Sequence, residues 1–127
     1  RDADEMNFPI FPLTWNGTND NDEDITSVGY REAGYYTDAL INFLALLGWN
    51  DGTDKEFFTV DELIGSFSLE RVHKAGSKFD IRTAKWFNQH YLRAKPDAEL
   101  AAGVVAALAK QNTACTTEQA EKIVRLM

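Results

Sequence analysis

Cysteine and long apolar runs are scarce in this 127-residue sequence, and each scarcity argues against a class of protein. The single cysteine, Cys115, cannot form a disulfide within the chain, which agrees with a reducing compartment. No apolar run approaches the roughly 20 residues that a membrane-spanning helix needs, and no basic and apolar signal-peptide pattern opens the sequence. We therefore expect a soluble, cytoplasmic protein with no membrane partner.

Motifs for catalysis and metal binding are also missing. The sequence has neither GxxxxGK nor GxGxxG, the two glycine-rich patterns that hold nucleotide phosphates. His73 and His90 are too far apart for a helical metal pair, and the acidic run DNDED lacks the glycine and the terminal glutamate of a calcium loop. A nucleophilic pair of Cys115 with a histidine remains open, although no local pattern supports it. We expect no catalytic residue, no metal and no bound cofactor in this chain.

The composition is that of a folded protein, with 44% hydrophobic and 12% aromatic residues. The chain begins with Arg1 rather than methionine, and it stops at IVRLM inside a helical pattern that no end signal closes. A fragment of a longer protein accounts for both facts, whereas a processed N-terminus accounts only for the first. We expect a fragment.

Two prolines shape the first part of the sequence. Pro9 and Pro12 interrupt the aromatic stretch NFPIFPLTW and exclude a regular helix or a central strand there. The stretch that follows, NGTNDNDEDITS, is rich in turn-forming and acidic residues. We predict an extended edge segment followed by a mobile acidic loop at residues 16–26.

Capping residues divide the rest of the sequence into six or seven short helices. Thr59 with Glu62 has the spacing of a capping box, and Thr116 with Gln119 repeats it. Asp80 is placed to cap the longest segment, IRTAKWFNQHYLRA. The fold is therefore predicted to be mainly α.

The segment DALINFLALL has a helical apolar pattern that predicts a core helix. Four positions at i, i+3, i+4 and i+7 share one face, and they are Leu40, Phe43, Leu44 and Leu47.

Charge is segregated along the chain. The formal net charge is -7, yet residues 71–95 hold seven lysines and arginines against one acidic residue. On a helix over residues 81–93, one face is apolar, and the other carries Arg82, Lys85, Gln89 and Arg93 with Trp86 among them. Because this face has no acid, one interpretation is a phosphate-binding surface on which Trp86 could stack on a base or ribose. A structural interpretation also stays open, in which Trp86 packs on a neighbouring domain and the bases pair with acids elsewhere in the chain. The alternative is a helical interaction module whose basic face binds an acidic protein.

Six motifs in fixed order give the sequence a family resemblance. They are Gly34-Tyr35, the helix Ala39–Trp49, FTVDEL at residues 58–63, FSLERV at residues 67–72, Phe79-Asp80, and a helix carrying WFNQHYLR at residues 86–93. Over residues 26–93 the sequence closely resembles the region that follows the catalytic domain in bacterial glutamyl-tRNA synthetases. One departure is that Lys85 stands directly before Trp86.

The N-terminus fits the same resemblance. In some of these enzymes the ATP-binding signature KLSKR is followed by Asp-Gly-Asp and an FPVFPL stretch, and RDADEMNFPIFPL is similar to its tail, with Ala3 in place of glycine. The resemblance implies that Arg1 is the last residue of that signature.

The resemblance implies a class I aminoacyl-tRNA synthetase that activates glutamate with ATP and magnesium and transfers it to tRNA, without binding DNA. Residues 1–27 would be an extended segment and acidic loop after the signature. Residues 28–94 would form a small multi-helix stem-contact domain, and residues 95–127 the first helices of an α-helical anticodon-binding cage. Related glutaminyl enzymes typically read the anticodon with β-barrels, so the helical run after Pro96 favours the glutamyl type. The fragment alone is expected to be inactive.

The expected tRNA-binding residues are the bases of the positive stretch. They are Arg71, Lys74, Lys78, Arg82, Lys85 and Arg93. On the same helix, Phe87, Asn88 and Tyr91 are expected to belong to the scaffold.

Overall fold

The computed structural model describes residues 9–126 of the chain. Its elements are β1 (Trp15–Thr18), β2 (Asp24–Ser27), α1 (Thr37–Gly48), α2 (Val60–Ser66), one 3-10 turn (Leu69–Arg71), α3 (Ile81–Arg93), α4 (Asp97–Lys110) and α5 (Thr117–Leu126). The prediction of a mainly α fold is confirmed. The chain divides into two compact units, residues 1–90 and residues 91–127. Arg1, the expected remnant of the ATP signature, lies outside the described residues.

A two-stranded antiparallel hairpin pairs Trp15–Thr18 with Asp24–Ser27, so the prediction of a loop is wrong for residues 16–18 and 24–26. The Asn19 side chain organises the turn, because its Oδ1 accepts hydrogen bonds from the backbone N–H groups of Asn21 (2.9 Å) and Glu23 (3.0 Å). Across the strands, the hydroxyl of Thr26 donates to Oδ1 of Asn16 at 2.8 Å. Asparagine side chains therefore stabilise this hairpin, which the turn-rich composition of the segment does not predict.

The extended segment before the hairpin is tied to the turn that follows it. The backbone N–H of Tyr30 donates to the carbonyl of Phe11 at 2.9 Å, and a carboxylate oxygen of Glu32 accepts from both the N–H (2.8 Å) and the hydroxyl (3.0 Å) of Thr14. The turn ends at Gly34, whose φ of 88° lies in the left-handed region that favours glycine. These bonds hold residues 11–14 against the turn that follows the hairpin, outside the two-stranded sheet.

Helix α1 buries a different face from the predicted one. Phe43 is 2% exposed, but Leu44 is 48% exposed, so its assignment to the core is wrong. The buried positions Ala39, Asn42 and Phe43 also follow helical spacing, one residue earlier. Asn42 is 0% exposed because its amide bonds the backbone of the next segment: Nδ2 donates to the carbonyl of Glu56 (3.0 Å), and Oδ1 accepts from the N–H of Phe58 (2.8 Å).

The core of the first unit lies between α1 and α2. Trp49, Phe58 and Leu63 form a buried cluster, with the Trp49 and Phe58 ring centroids 6.0 Å apart. The predicted capping box of α2 is confirmed, since Thr59 and Glu62 exchange both side-chain-to-backbone bonds. Trp49 also forms an isolated antiparallel bridge with Val72. These contacts hold the segment after α2 against the end of α1.

The second unit contains α4 and α5, which pack together through small side chains. Ala101 and Ala120 are both 0% exposed. The predicted capping box at Thr116 and Gln119 is confirmed by reciprocal bonds of 3.0 and 3.3 Å. Pro96 is the N-cap of α4, and its backbone is extended with ψ 143°.

Candidate nucleic-acid interface

The inner face of α3 anchors the helix to the first unit. Ala84 and Phe87 are buried, and the Phe87 ring lies 5.9 Å from that of Phe43 on α1. The Asn88 amide bonds the turn before α1: Oδ1 accepts from the N–H of Tyr36 at 2.8 Å, and Nδ2 donates to the carbonyl of Gly34 at 3.0 Å. These contacts fix the rotation of α3 about its axis and hence the direction in which its outer face points.

Asp80 caps the helix and also binds one of the predicted site residues. Its Oδ1 accepts from the backbone N–H of Arg82 at 2.9 Å, as a capping carboxylate does. The Arg82 guanidinium folds back onto the same carboxylate, with Nε 3.2 Å from Oδ1 and Nη2 3.1 Å from Oδ2. Hydrogen bonds from Arg82 lower the pKa of Asp80, and the bond from the Arg82 side chain has a larger effect than the bond from its backbone N–H. Since the Arg82 side chain is 88% exposed, this pair is weak and open to exchange with another anion.

Lys74, Lys78, Lys85 and Arg93 are exposed. Within residues 9–126 none of these four cations forms an ion pair. The charge of Lys78 contributes to the lowered pKa of Asp80, which places it electrostatically near the start of α3. Arg93 ends α3 and falls in the second unit. The first unit therefore presents Lys78, Arg82 and Lys85 around the first turns of one helix.

Arg71 differs from the other predicted residues because it bonds a neighbouring loop. Its guanidinium donates to the carbonyl of Asp51. The loop itself turns at Gly52, whose φ is 85° and whose N–H donates to Oδ1 of Asn50 at 3.0 Å. Nδ2 of Asn50 lies 2.7 Å from Nε2 of His73. Arg71 and His73 thus hold this loop, a structural role that the charge pattern alone does not indicate.

An aromatic cluster lies beside Lys85. Trp86 is 44% exposed, and its ring packs 5.0 Å from that of Phe57. Phe57 also stacks on His90, with centroids 3.5 Å apart and an interplanar angle of 14°. The predicted exposure of Trp86 holds, but sequence reasoning missed Phe57 and His90. The available signal was the i,i+4 spacing of Trp86 and His90, which places both on one side of α3.

The arrangement combines positive charge with an exposed aromatic ring. Cations provide charge for phosphates, and a half-exposed indole provides a stacking surface. In the described part of the chain, no group of three or more His, Cys, Asp or Glu side chains is placed to hold a metal ion. None of the helices within residues 9–126 is long and apolar enough to cross a membrane.

Comparison with known proteins gives the same family from sequence and from structure. Glutamate–tRNA ligases from Amoebophilus asiaticus and Flavobacterium johnsoniae are 52% and 48% identical to the chain over 129 and 127 residues, covering 100% of it and 24% of each relative. Crystal structures of the glutamate tRNA ligase from Elizabethkingia meningosepticum, in complex with its amino acid, and of the Elizabethkingia anophelis enzyme superpose with TM-scores of 0.86 and 0.89. Both are 43% identical, and the match covers 100% of this chain and 25% of theirs.

The chain therefore spans about a quarter of the length of the relatives it matches. The resemblance to bacterial glutamyl-tRNA synthetases is confirmed, and the interaction-module alternative is not favoured. The family model described as "tRNA synthetases class I (E and Q), catalytic domain" matches residues 20–86, just over half of the sequence. This chain belongs to the class I tRNA synthetases of that E and Q family.

Proposed function

We propose that the chain is part of a glutamate–tRNA ligase, which activates glutamate with ATP and transfers it to tRNA. The observation that carries this proposal is the match along 100% of the chain to glutamate–tRNA ligases at 42 to 52% identity. ATP, magnesium and glutamate would bind in parts of the enzyme outside this chain, and the enzyme would act in the cytoplasm. The residues of this chain would position tRNA rather than make or break covalent bonds.

Within that enzyme, residues 28–94 would contact the tRNA stem, and residues 95–127 would begin the helical anticodon-binding domain. Residues 1–27 would link the ATP signature to the stem-contact domain. The anchoring of α3 through Asn88 supports a docking role for this helix, because the Asn88 amide accepts from the Tyr36 N–H and donates to the Gly34 carbonyl and so holds the helix that carries the cations. A rigid helix presents its charges without the entropic cost of ordering a loop.

The docking surface would be centred on Lys78, Arg82 and Lys85. Lys78 and Lys85 have no ion pair among the described residues, so they would bind a phosphate without first breaking an ion pair with an acidic residue. Arg82 would exchange the exposed Asp80 carboxylate for a phosphate, to which a guanidinium can donate two parallel bonds. Lys74 would extend the surface within the first unit, and Arg93, in the second unit, would be a separate phosphate contact.

Arg71 would contribute least. Its guanidinium already donates to the Asp51 carbonyl, and moving it to a phosphate would leave the loop at residues 50–53 without that bond. We therefore rank its phosphate contact below those of the free lysines.

Binding of tRNA by the full-length enzyme over a salt series tests this assignment. Each lost phosphate contact should make the slope of log affinity against log salt shallower by roughly 0.7 to 0.9. We expect that change for Lys85→Ala and for Arg82→Ala, and about twice that change for the double variant. Arg31→Ala is the matched control, because Arg31 is exposed in the same unit but lies outside α3.

Unchanged affinity and slope in the double variant would remove the basic face from the tRNA site. Loss of affinity in Arg31→Ala to the same extent would show that only the net charge matters. A separate assay of glutamate transfer to tRNA by the full-length protein tests the proposed activity itself.

A further inference from the structure

Asn50 and His73 form a side-chain contact between two separate segments of the first unit. Nδ2 of Asn50, on the loop after α1, lies 2.7 Å from Nε2 of His73, on the segment that leads to α3. His73 is exposed, so its ring exchanges protons with the solution. The contact therefore involves a side chain of the type that changes its charge near neutral pH.

The orientation of the Asn50 amide follows from a second hydrogen bond. Oδ1 of Asn50 accepts from the backbone N–H of Gly52 at 3.0 Å, so the group that faces His73 is the NH2 group. An amide NH2 group only donates, and Nε2 of histidine accepts only when it carries no proton. The geometry thus requires a neutral His73 ring with its proton on Nδ1.

A protonated His73 ring does not fit this arrangement. Both nitrogens of a charged imidazole are donors, so the Nε2–H would point at the Asn50 NH2 group. Turning the Asn50 amide over would bring Oδ1 to the histidine, but it would leave the Gly52 N–H facing an NH2 group. Protonation therefore breaks one of the two Asn50 bonds, whichever way the amide points.

Backbone bonds hold the segment that carries His73 independently of its ring. The N–H of His73 donates to the carbonyl of Gly48 at 2.7 Å, and Val72 forms the antiparallel bridge with Trp49. Neither contact involves the imidazole. Loss of the Asn50 contact would therefore loosen the loop at residues 50–53 and leave the segment before α3 in place.

We propose that Asn50 and His73 form a protonation-sensitive latch, which holds the loop at residues 50–53 when His73 is neutral and releases it when His73 is charged. The bond from the Arg71 guanidinium to the Asp51 carbonyl is a second tie on the same loop and does not depend on His73. Release of the latch would thus free the Asn50 end of the loop first.

The charged groups around the latch leave His73 as the group that titrates near neutral pH. They are Glu70, Arg71 and Lys74 on the segment of His73 and Asp51 and Asp54 on the loop, whereas residues 44–49 at the end of α1 carry none. Hydrogen bonds from Thr53, chiefly from its hydroxyl, lower the pKa of Asp51. The Asp51 carboxylate therefore stays charged over the range of about pH 5 to 8 in which histidine titrates.

Nuclear magnetic resonance of the full-length enzyme, with histidine and asparagine labelled with 15N, tests the latch. At about pH 8 we expect the His73 ring as the Nδ1–H tautomer and an Asn50 NH2 signal distinct from that of a free amide. At about pH 5.5 we expect the Asn50 signal at the free-amide position. Spectra of His73→Gln and Asn50→Ala identify the two signals by their loss.

His73→Gln is also the matched control. The glutamine oxygen can accept from the Asn50 NH2 group, but it takes up no proton in this pH range. The Asn50 signal of this variant should therefore be the same at both pH values. Because every readout is local to the first unit, the result does not depend on the reaction that the enzyme catalyses.

Each outcome decides the inference. An Nε2–H tautomer at the higher pH would overturn it, because the Asn50 amide would then present its oxygen to the ring. An Asn50 signal that does not change with pH in the wild type would overturn it as well. The same movement in wild type and in His73→Gln would assign the pH dependence to another group, whereas movement in the wild type alone supports the latch.

Discussion

The two faces of α3 differ in what their side chains contact. On the inner face, Phe87 packs against Phe43 and Asn88 bonds the backbone of residues 34 and 36. On the outer face, Lys85 has no ion pair within residues 9–126, and Arg82 reaches only the exposed Asp80 carboxylate. The difference indicates that the inner face determines stability and the outer face is available for binding. Substitutions on the two faces should therefore separate these two properties.

The largest effect on stability is expected at Phe87. Replacing this buried ring with alanine removes its contacts with Phe43 and Phe57 and leaves a cavity. Phe87→Ala should lower the free energy of unfolding by about 3 to 5 kcal/mol, measured by equilibrium unfolding in urea. Trp86→Ala is the control. Although tryptophan is the larger side chain, Trp86 is 44% exposed, so Trp86→Ala should lower the free energy of unfolding by less than half as much. Equal losses would contradict the distinction between the faces.

Asn88 and Gln89 compare adjacent amides on opposite faces. Asn88→Ala removes the hydrogen bonds to the Gly34 carbonyl and from the Tyr36 N–H, which should cost about 1 to 3 kcal/mol in the free energy of unfolding. Gln89 is exposed, so Gln89→Ala should change the free energy of unfolding by no more than about 0.5 kcal/mol. The same urea titrations measure both. If Gln89→Ala destabilised as much as Asn88→Ala, the outer face would have a structural role.

Local patterns predicted the parts of the fold that depend on local bonds. The capping boxes at Thr59 and Thr116 and the cap at Asp80 involve residues no more than three apart, so their spacing contains all the information needed. Core positions depend on distant partners. Asn42 is buried because it bonds residues 56 and 58, and a hydropathy pattern that treats asparagine as exposed selects Leu44 instead.

In the candidate site, too, features that depend on neighbouring residues were predicted, and features that depend on distant partners were not. Charge and helical spacing identified Lys85 and Trp86 as outward-facing, because both depend on a single helix. They could not identify the Arg71 bond to Asp51, which joins residues 20 apart, or the stacking of Phe57 on His90. The hairpin was missed for a related reason, since its strands are short and its turn depends on one asparagine side chain.

Asp80 directly precedes α3 and should have a smaller, pH-dependent effect on stability. Its pKa is lowered chiefly by the hydrogen bonds from Arg82. A lowered pKa means that its contribution to stability is present above the ordinary aspartate value of about 3.9 and is lost as pH falls through the lower folded value. Asp80→Ala should reduce the urea midpoint at neutral pH, and this difference from wild type should shrink as the solution is acidified.

Asp80→Asn separates the cap from the charge. The amide oxygen can still accept from the N–H of Arg82, so this variant should keep more of its stability than Asp80→Ala. Identical losses for the two variants at neutral pH would show that the charge pair with Arg82, not the cap, stabilises the start of α3.

The smallest effect on stability and a large effect on binding are expected at Lys85. Lys85→Glu changes an exposed side chain that has no ion pair in the described part of the chain, so the free energy of unfolding should change by no more than about 0.5 kcal/mol. If the outer face meets tRNA phosphates, the same reversal should weaken tRNA binding by the full-length enzyme and flatten its salt dependence. Arg31→Glu makes an equal change in net charge on the same unit. Comparable weakening by both variants would mean that tRNA senses the overall charge, whereas weakening by Lys85→Glu alone assigns binding to α3, because the change in net charge is the same in both variants and only its position differs.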